Sequence, residues 1–338
     1  MLMNFMINSN KMFFMFMLFF STLISISANS WLGCWIGLEI NLLSFIPLIS
    51  NNKNLLHNEA SLKYFLTQSI ASINFIFFII IKMILFKNFE FSNISMLLNS
   101  TLLMKMGSAP FHFWFPNIME GLSWMNCFIL MTWQKISPLI LLFYYYNFNF
   151  IIIIMILNVL IGALMGFNQT SIRKLLAFSS INNLGWMMAA FMISENLWLF
   201  YFIMYSFLNL ILMLMFYMFN IFYMNQIMNF NINFYIKMSL IINFFSLGGL
   251  PPFLGFFPKW IIINFLLNNN LTLIAFIFLM SSLIMMFFYI RIIYLSILLI
   301  NFKLKWFKIN FKISFFSFIN FISLISFSSL MLNTFFFF

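Results

Sequence analysis

The chain has 338 residues, 64% of them hydrophobic and only 6% charged, with a formal net charge of +11. That composition excludes a water-soluble core and describes a polytopic membrane protein. The basic residues are scattered over separate short loops, which excludes a groove for nucleic acid or an acidic ligand.

A hydrocarbon layer roughly 30 Å thick is crossed by about 20 apolar residues in a helix. Runs of that length follow one another here, and they are continuously apolar rather than alternating, so they predict helices and not barrel strands. The predicted fold class is all-α with about eleven transmembrane helices. Their approximate cores are 12–28, 31–50, 60–83, 94–107, 123–146, 150–167, 173–193, 196–223, 234–267, 271–299 and 313–334. The fourth runs into MGSAPFHFWFPNIMEG, and the ninth, too long for one crossing, is interrupted by SLGGLPPFLGFFPKW. Both are predicted to be broken helices. Pro110, Pro251 and Pro252 cannot donate backbone hydrogen bonds, and Gly107, Gly248 and Gly249 tolerate conformations closed to other residues. Backbone groups freed inside lipid must face protein or water, so each break predicts a polar pocket at membrane depth.

The two breaks resemble each other at a spacing of 142: Gly107, Pro110, Phe111, Phe115 and Pro116 align with Gly249, Pro252, Phe253, Phe257 and Pro258. Chance similarity between two Phe-rich, Gly/Pro-punctuated stretches is the alternative to an internal repeat. Five helices per copy would insert the second copy upside down, as in transporters with sites near the midplane. The organisation expected is a single transmembrane domain, 1–338, with a first inverted repeat at 1–147 and a second at 148–300. A basic loop and last helix follow at 301–338.

Four ionisable residues lie deep in apolar runs: Glu39 in WLGCWIGLEINLLSF, Lys105 before the first break, Lys135 in FILMTWQKISPLILL, and Lys259 after the second break. A charge at the middle of a bilayer costs at least about 2.5 kcal/mol, so these positions read as a proton path. Desolvation and a neighbouring carboxylate act oppositely on a buried amine, so a Glu/Lys pair can switch charge state as its surroundings change. A static ion pair, or lysines satisfied by carbonyls, is the other reading. His112, beside the first break, is either an additional polar relay or a histidine bonded to freed backbone, and His57, in a loop with Glu59, reads as surface chemistry.

Orientation follows from the basic residues. The N-terminus and even-numbered loops carry Lys11, Lys53, Arg173, Lys174, Lys303, Lys305 and Lys308, with Lys63, Lys237 and Lys312 at adjoining helix ends, against Lys87 opposite. The basic side is the one from which insertion occurs. Phe, Met, Ile and Asn are swollen, Val159 is the only valine and aspartate is absent, which points to an A/T-driven animal mitochondrial codon pool. The N-terminus is then expected in the matrix and the C-terminus in the intermembrane space of a multi-pass inner-membrane protein. No cleavable targeting peptide is expected. Two cysteines are too few for an iron–sulfur cluster, two histidines cannot ligate two haems, and no GxGxxG or GxxxxGK[ST] is present, so neither a redox centre nor a nucleotide site is expected. A structural disulfide between Cys34 and Cys127 is not expected either.

The segments MKMGSAPFHFWFPNIMEG, TWQKISPL, SIRKLLAFSSINNLGW and SLGGLPPFLGFFPKW, in that order and spacing, resemble the chain 2 family of mitochondrial NADH:ubiquinone oxidoreductase, respiratory complex I, in an arthropod-like form. The likeness covers nearly the whole chain, and that family is related to antiporter-like proton-pumping subunits. It implies a translocase subunit, with Glu39 and Lys105 as the coupling pair, Lys135 as the connecting lysine and Lys259 as the lysine of the distal half-channel. It also implies that NADH, FMN, iron–sulfur clusters and ubiquinone belong to other subunits. The partners expected are other membrane-arm subunits and membrane lipids, with cardiolipin a candidate, and no nucleic acid. Bacterial relatives have three further helices at the start, so one flank is expected to be covered by a neighbour. Asn117 stands where relatives usually have glutamate. A stand-alone cation/proton antiporter and a purely structural scaffold remain the alternatives.

Overall fold

The computed structural model describes residues 9–51, 54–84, 91–229 and 234–298. The predicted last span and the basic residues Lys53, Lys87, Lys303, Lys305, Lys308 and Lys312 lie outside the described residues. Within them the elements are helices, together with one isolated bridge between Ser171 and Tyr223. Helix is the one open-ended structure that satisfies every backbone group inside lipid.

The chain divides into two compact units between Ile154 and Met155. The first holds α1 (Ser9–Ser27), α2 (Trp31–Ile49), α3 (Leu55–Ile84), α4 (Phe91–Met106), α5 (Trp114–Gly121), α6 (Trp124–Met131) and α7 (Trp133–Tyr144). Helix α8 (Phe148–Gly166) runs through the division. The second holds α9 (Ile172–Ile193), α10 (Glu195–Phe219), α11 (Met224–Asn229), α12 (Phe234–Gly248), α13 (Phe256–Asn268) and α14 (Thr272–Leu298). Among the described residues eight helical stretches are long and apolar enough to cross a membrane, α6 and α7 together making one of them. The shorter apolar helices, Ile94–Met106, Lys237–Gly248 and Phe256–Asn268, flank the two predicted breaks.

Caps set the boundaries. The Ser30 hydroxyl accepts from the Gly33 amide at 3.2 Å to start α2, and Ser194 does the same for Leu197 to start α10. Asn220, left-handed at φ 51°, ends α10. Buried hydroxyls return to their own helix: Ser21, Ser25, Ser44, Ser179 and Ser180 each donate to the carbonyl three residues back.

In the first unit α1 packs along α2, α3 lies against α2, α4 and α5, and α7 against α1, α4 and α6. Small residues permit the closest approach, for a Cβ on Gly37 would lie 2.7 Å from that of Ser25. In the second unit α9 packs on α10 and α13, while α14 packs on α11, α12 and α13. Burial is uneven: 89% of the central stretch of α9 is buried, against 22% for α1. An apolar helix so enclosed meets protein rather than lipid, which makes α9 the core of its unit.

Two details differ from the sequence reading. Helix α3 begins at Leu55, so His57 and Glu59 lie on its first turns rather than in a loop, and Glu59 pairs with Lys63 one turn on. The fifth span, expected to be continuous, is interrupted at Thr132. Pro138 cannot donate to the carbonyl of Gln134. The Thr132 hydroxyl also folds back onto the Phe128 carbonyl at 2.7 Å.

Candidate functional site

Both broken segments close their first half-helix with the same turn. At the end of α4, Gly107 has φ 69°, its amide donates to Met104 O at 3.2 Å, and the Ser108 amide donates to Leu103 O at 3.1 Å. At the end of α12, Gly249 has φ 85°, its amide donates to Ser246 O at 3.1 Å, and Leu250 donates to Phe245 O at 3.2 Å. This is the Schellman arrangement, and the positive φ at its C′ position is why glycine stands there.

Two carbonyls at the end of α4 also accept from side chains. Trp114 Nε1 donates to Met104 O at 3.1 Å, and Gln68 of α3 reaches across to donate to Lys105 O at 3.1 Å. Lys105, in the last turn of α4, is 6% exposed and sits where the helix dipole favours a cation. Glu39 on α2 is half-buried, within electrostatic range of both Lys105 and Tyr64, and makes no direct ion-pair contact with Lys105. Lys135 is 1% exposed, in the first turn of α7 just past the Thr132 interruption, with its ammonium 5.0 Å from the centre of the Phe115 ring. His112 is buried in the break itself, its Nδ1 3.3 Å from Pro110 O and its Nε2 without a hydrogen-bond partner among the described residues.

Four polar residues that the sequence reading passed over hydrogen-bond between the helices that carry Glu39, Lys105 and Lys135. Tyr64 OH donates to Gln134 Oε1 at 3.4 Å, and Gln134 Nε2 donates to Asn41 Oδ1 at 2.9 Å. With Gln68 they link α2, α3, α4 and α7 through side chains buried or half-buried in the unit. A signal was present: Tyr64 and Gln68 are one helical turn apart, Asn41 follows Glu39 by two, and Gln134 adjoins Lys135.

In the second unit Lys259, 7% exposed, lies in the first turn of α13. Its ammonium donates to Leu247 O at 3.1 Å and Gly248 O at 2.9 Å, the two terminal carbonyls of α12 that the turn leaves open. It also lies 5.6 Å from the Trp186 ring. Beside it is a cavity of about 20 Å³ whose lining includes Asn183, Tyr201, Tyr205 and Ser246. That is room for a water molecule among polar partners. Tyr201 OH donates to Asn183 Oδ1 at 3.0 Å, and the neighbouring Asn182 donates to Val159 O at 3.0 Å. The SSINN stretch is therefore wholly internal, with Asn183 at the cavity of Lys259.

Residues 28–285 match the family of NADH:quinone oxidoreductase/Mrp antiporter transmembrane proteins. NADH-ubiquinone oxidoreductase chain 2 of Anopheles gambiae is 55% identical over 299 residues, 86% of this chain and 86% of that one. Chain 2 of Lemur catta is 37% identical over 309 residues, 87% of this chain and 89% of that one. A chain of respiratory complex I from Thermus thermophilus superposes with a TM-score of 0.80 at 18% identity, covering 95% of this chain and 78% of that one. A chain of the Mrp complex from Dietzia does so with 0.71 at 14% identity, covering 82% and 58%. Those two likenesses concern the fold. Family model and chain 2 relatives agree, and the chain belongs to the NADH:quinone oxidoreductase/Mrp antiporter transmembrane family.

Proposed function

We propose that the chain is a core membrane-arm subunit of respiratory complex I, translocating protons across the mitochondrial inner membrane while partner subunits oxidise NADH and reduce ubiquinone. The observation that carries this is the set of three buried lysines, Lys105, Lys135 and Lys259, each beside an interrupted helix. Glu39 and Lys105 form the coupling pair. Because they sit within electrostatic range without contact, a charge displaced along the membrane arm changes how strongly Lys105 holds its proton. Lys135 is the connecting lysine and Lys259 that of the distal half-channel. A proton moved against 100 mV requires about 2.3 kcal/mol, less than two pKa units at about 1.36 kcal/mol each.

The five-matched spacing of the two breaks supports reading the chain as inverted repeats. The basic bias of one set of loops supports a matrix N-terminus and an intermembrane-space C-terminus. NADH, FMN, iron–sulfur clusters and ubiquinone are assigned to other subunits, which are this chain's partners together with membrane lipids. The test is the number of protons moved per NADH oxidised in the assembled complex carrying Lys259→Met or Glu39→Gln. The expected result is a lower ratio in both, and an unchanged ratio in both would refute the proton path.

One observation favours a structural scaffold instead: the Lys259 ammonium is already satisfied by two carbonyls. Under that reading Lys259→Met loses stability, yet both variants, once assembled, move as many protons per NADH as the parent. The likeness to an Mrp chain keeps a stand-alone antiporter in view, and the chain purified alone into liposomes would then exchange cations for protons.

A further inference from the structure

At the end of the first unit where α1 finishes, α2 begins, and α3 and α7 finish, a cleft of about 450 Å³ is lined by the 27–30 turn, Trp31, Lys82, Tyr144 and Tyr145. Lys82 is part of this lining, with its ammonium 3.8 Å from the centre of the Tyr145 ring and 5.4 Å from that of Trp31. No carboxylate among the described residues pairs with it. None of these residues belongs to the proton path.

We infer that this cleft holds the phosphate of an anionic phospholipid headgroup on Lys82. The volume lies within the range of small-ligand sites, about 300–1,000 Å³, and far exceeds the roughly 30 Å³ of one water. The two rings fix the ammonium in place before any ligand arrives, so little conformational freedom remains to be lost on binding. The same cleft opens on the first turn of α2, a 19-residue helix whose leading amides point out of the helix end and favour an anion. Ser30 satisfies the Gly33 amide, and the two amides before it have no acceptor within the helix.

Lipid rather than a dissolved anion follows from the surroundings. Tyr144 is 59% exposed and belongs, with Tyr145 and Trp31, to the aromatic residues that settle at headgroup level. From Trp31 the exposed face of α2 continues through Leu32 and Ile36, one turn apart, and Ile80 and Phe77 carry the exposed apolar surface inward from Lys82 along α3. A headgroup in the cleft would lay its acyl chains on such surface. On the orientation proposed above this end faces the intermembrane space, where the charge bias expects few lysines. The site itself does not depend on that orientation or on the proton path, so its failure would leave both untouched.

The test uses the assembled complex reconstituted into phosphatidylcholine vesicles with a trace of anionic phospholipid bearing a photoactivatable group at the headgroup. Cross-links are expected on residues 27–34 or 144–145, suppressed at least tenfold by unlabelled anionic phospholipid and left in place by added inorganic phosphate. Lys82→Met is expected to lower the yield at least fivefold and Lys82→Arg to restore it, with NADH oxidation unchanged. Equal yield in an intact Lys82→Met complex would overturn the assignment. So would suppression by inorganic phosphate, which marks a free-anion site, or by zwitterionic lipid, which shows no selection for charge. Should Lys82→Met fail to assemble, the competition series on the unaltered complex decides alone.

Discussion

The two helix breaks share a backbone and divide over the placement of their lysine. Each ends its first half-helix in a Schellman turn at a glycine of positive φ, Gly107 or Gly249. In the first break the lysine stands before the turn, on the favourable end of the α4 dipole, and a neutral amide from Gln68 takes its carbonyl. In the second, the lysine stands after the turn, on the unfavourable end of the α13 dipole, and its ammonium itself holds the last two carbonyls of α12. At the spacing of 142, Lys259 corresponds to Asn117, exposed on α5, and Lys105 to Leu247. One turn thus serves two arrangements. Lys105 can change charge without disturbing the backbone around it, whereas any movement of Lys259 opens the end of α12.

The largest consequence is for stability at the second break. Lys259→Met leaves two buried carbonyls without donors, at roughly 1–3 kcal/mol each, and thermal denaturation of the complex should show the loss. Lys259→Arg keeps the carbonyl bonds but does not deprotonate, so stability should return while the ratio of protons moved per NADH stays low. A Met variant as stable as the parent would mean that the ammonium does not hold the break. Next is the first break: Gln68→Leu opens a single carbonyl, about 1–3 kcal/mol, and faster amide hydrogen exchange over residues 104–108 should report it. Exchange unchanged there would put the cap of Lys105 elsewhere. The smallest effect is the Asn41–Gln134 hydrogen bond, where a double-mutant cycle with leucine at both positions should give a coupling of about 0.6 kcal/mol. Strict additivity would remove this bond from the polar connection between α2 and α7.

Much of the site was legible in the residues, and the misses have physical causes. Lys105 and Lys259 announced themselves by lying next to Gly/Pro clusters in otherwise apolar runs. The split at Thr132 did not, because one threonine and a proline six residues later are compatible with a continuous helix, and only neighbouring helices decide whether the strand of hydrogen bonds holds. Tyr64, Gln68, Gln134 and Asn41 were visible as polar residues, yet their pairing spans up to 93 positions. Lys82 carried no signal in the sequence; the turn at 27–30 and the end of α7 around it are what single it out.

What the sequence by itself determined is the class of protein, the run of helices, the two breaks and the buried charges. Lipid makes these local matters: each backbone group must be satisfied within its own segment, and each charge stands out against an apolar run. What only the tertiary structure decided is which polar groups meet. These helices are apolar nearly all round, so no stripe along the chain says how each is turned about its axis. That rotation places Gln68 under Lys105, Lys259 on the end of α12 and Lys82 between two aromatic rings.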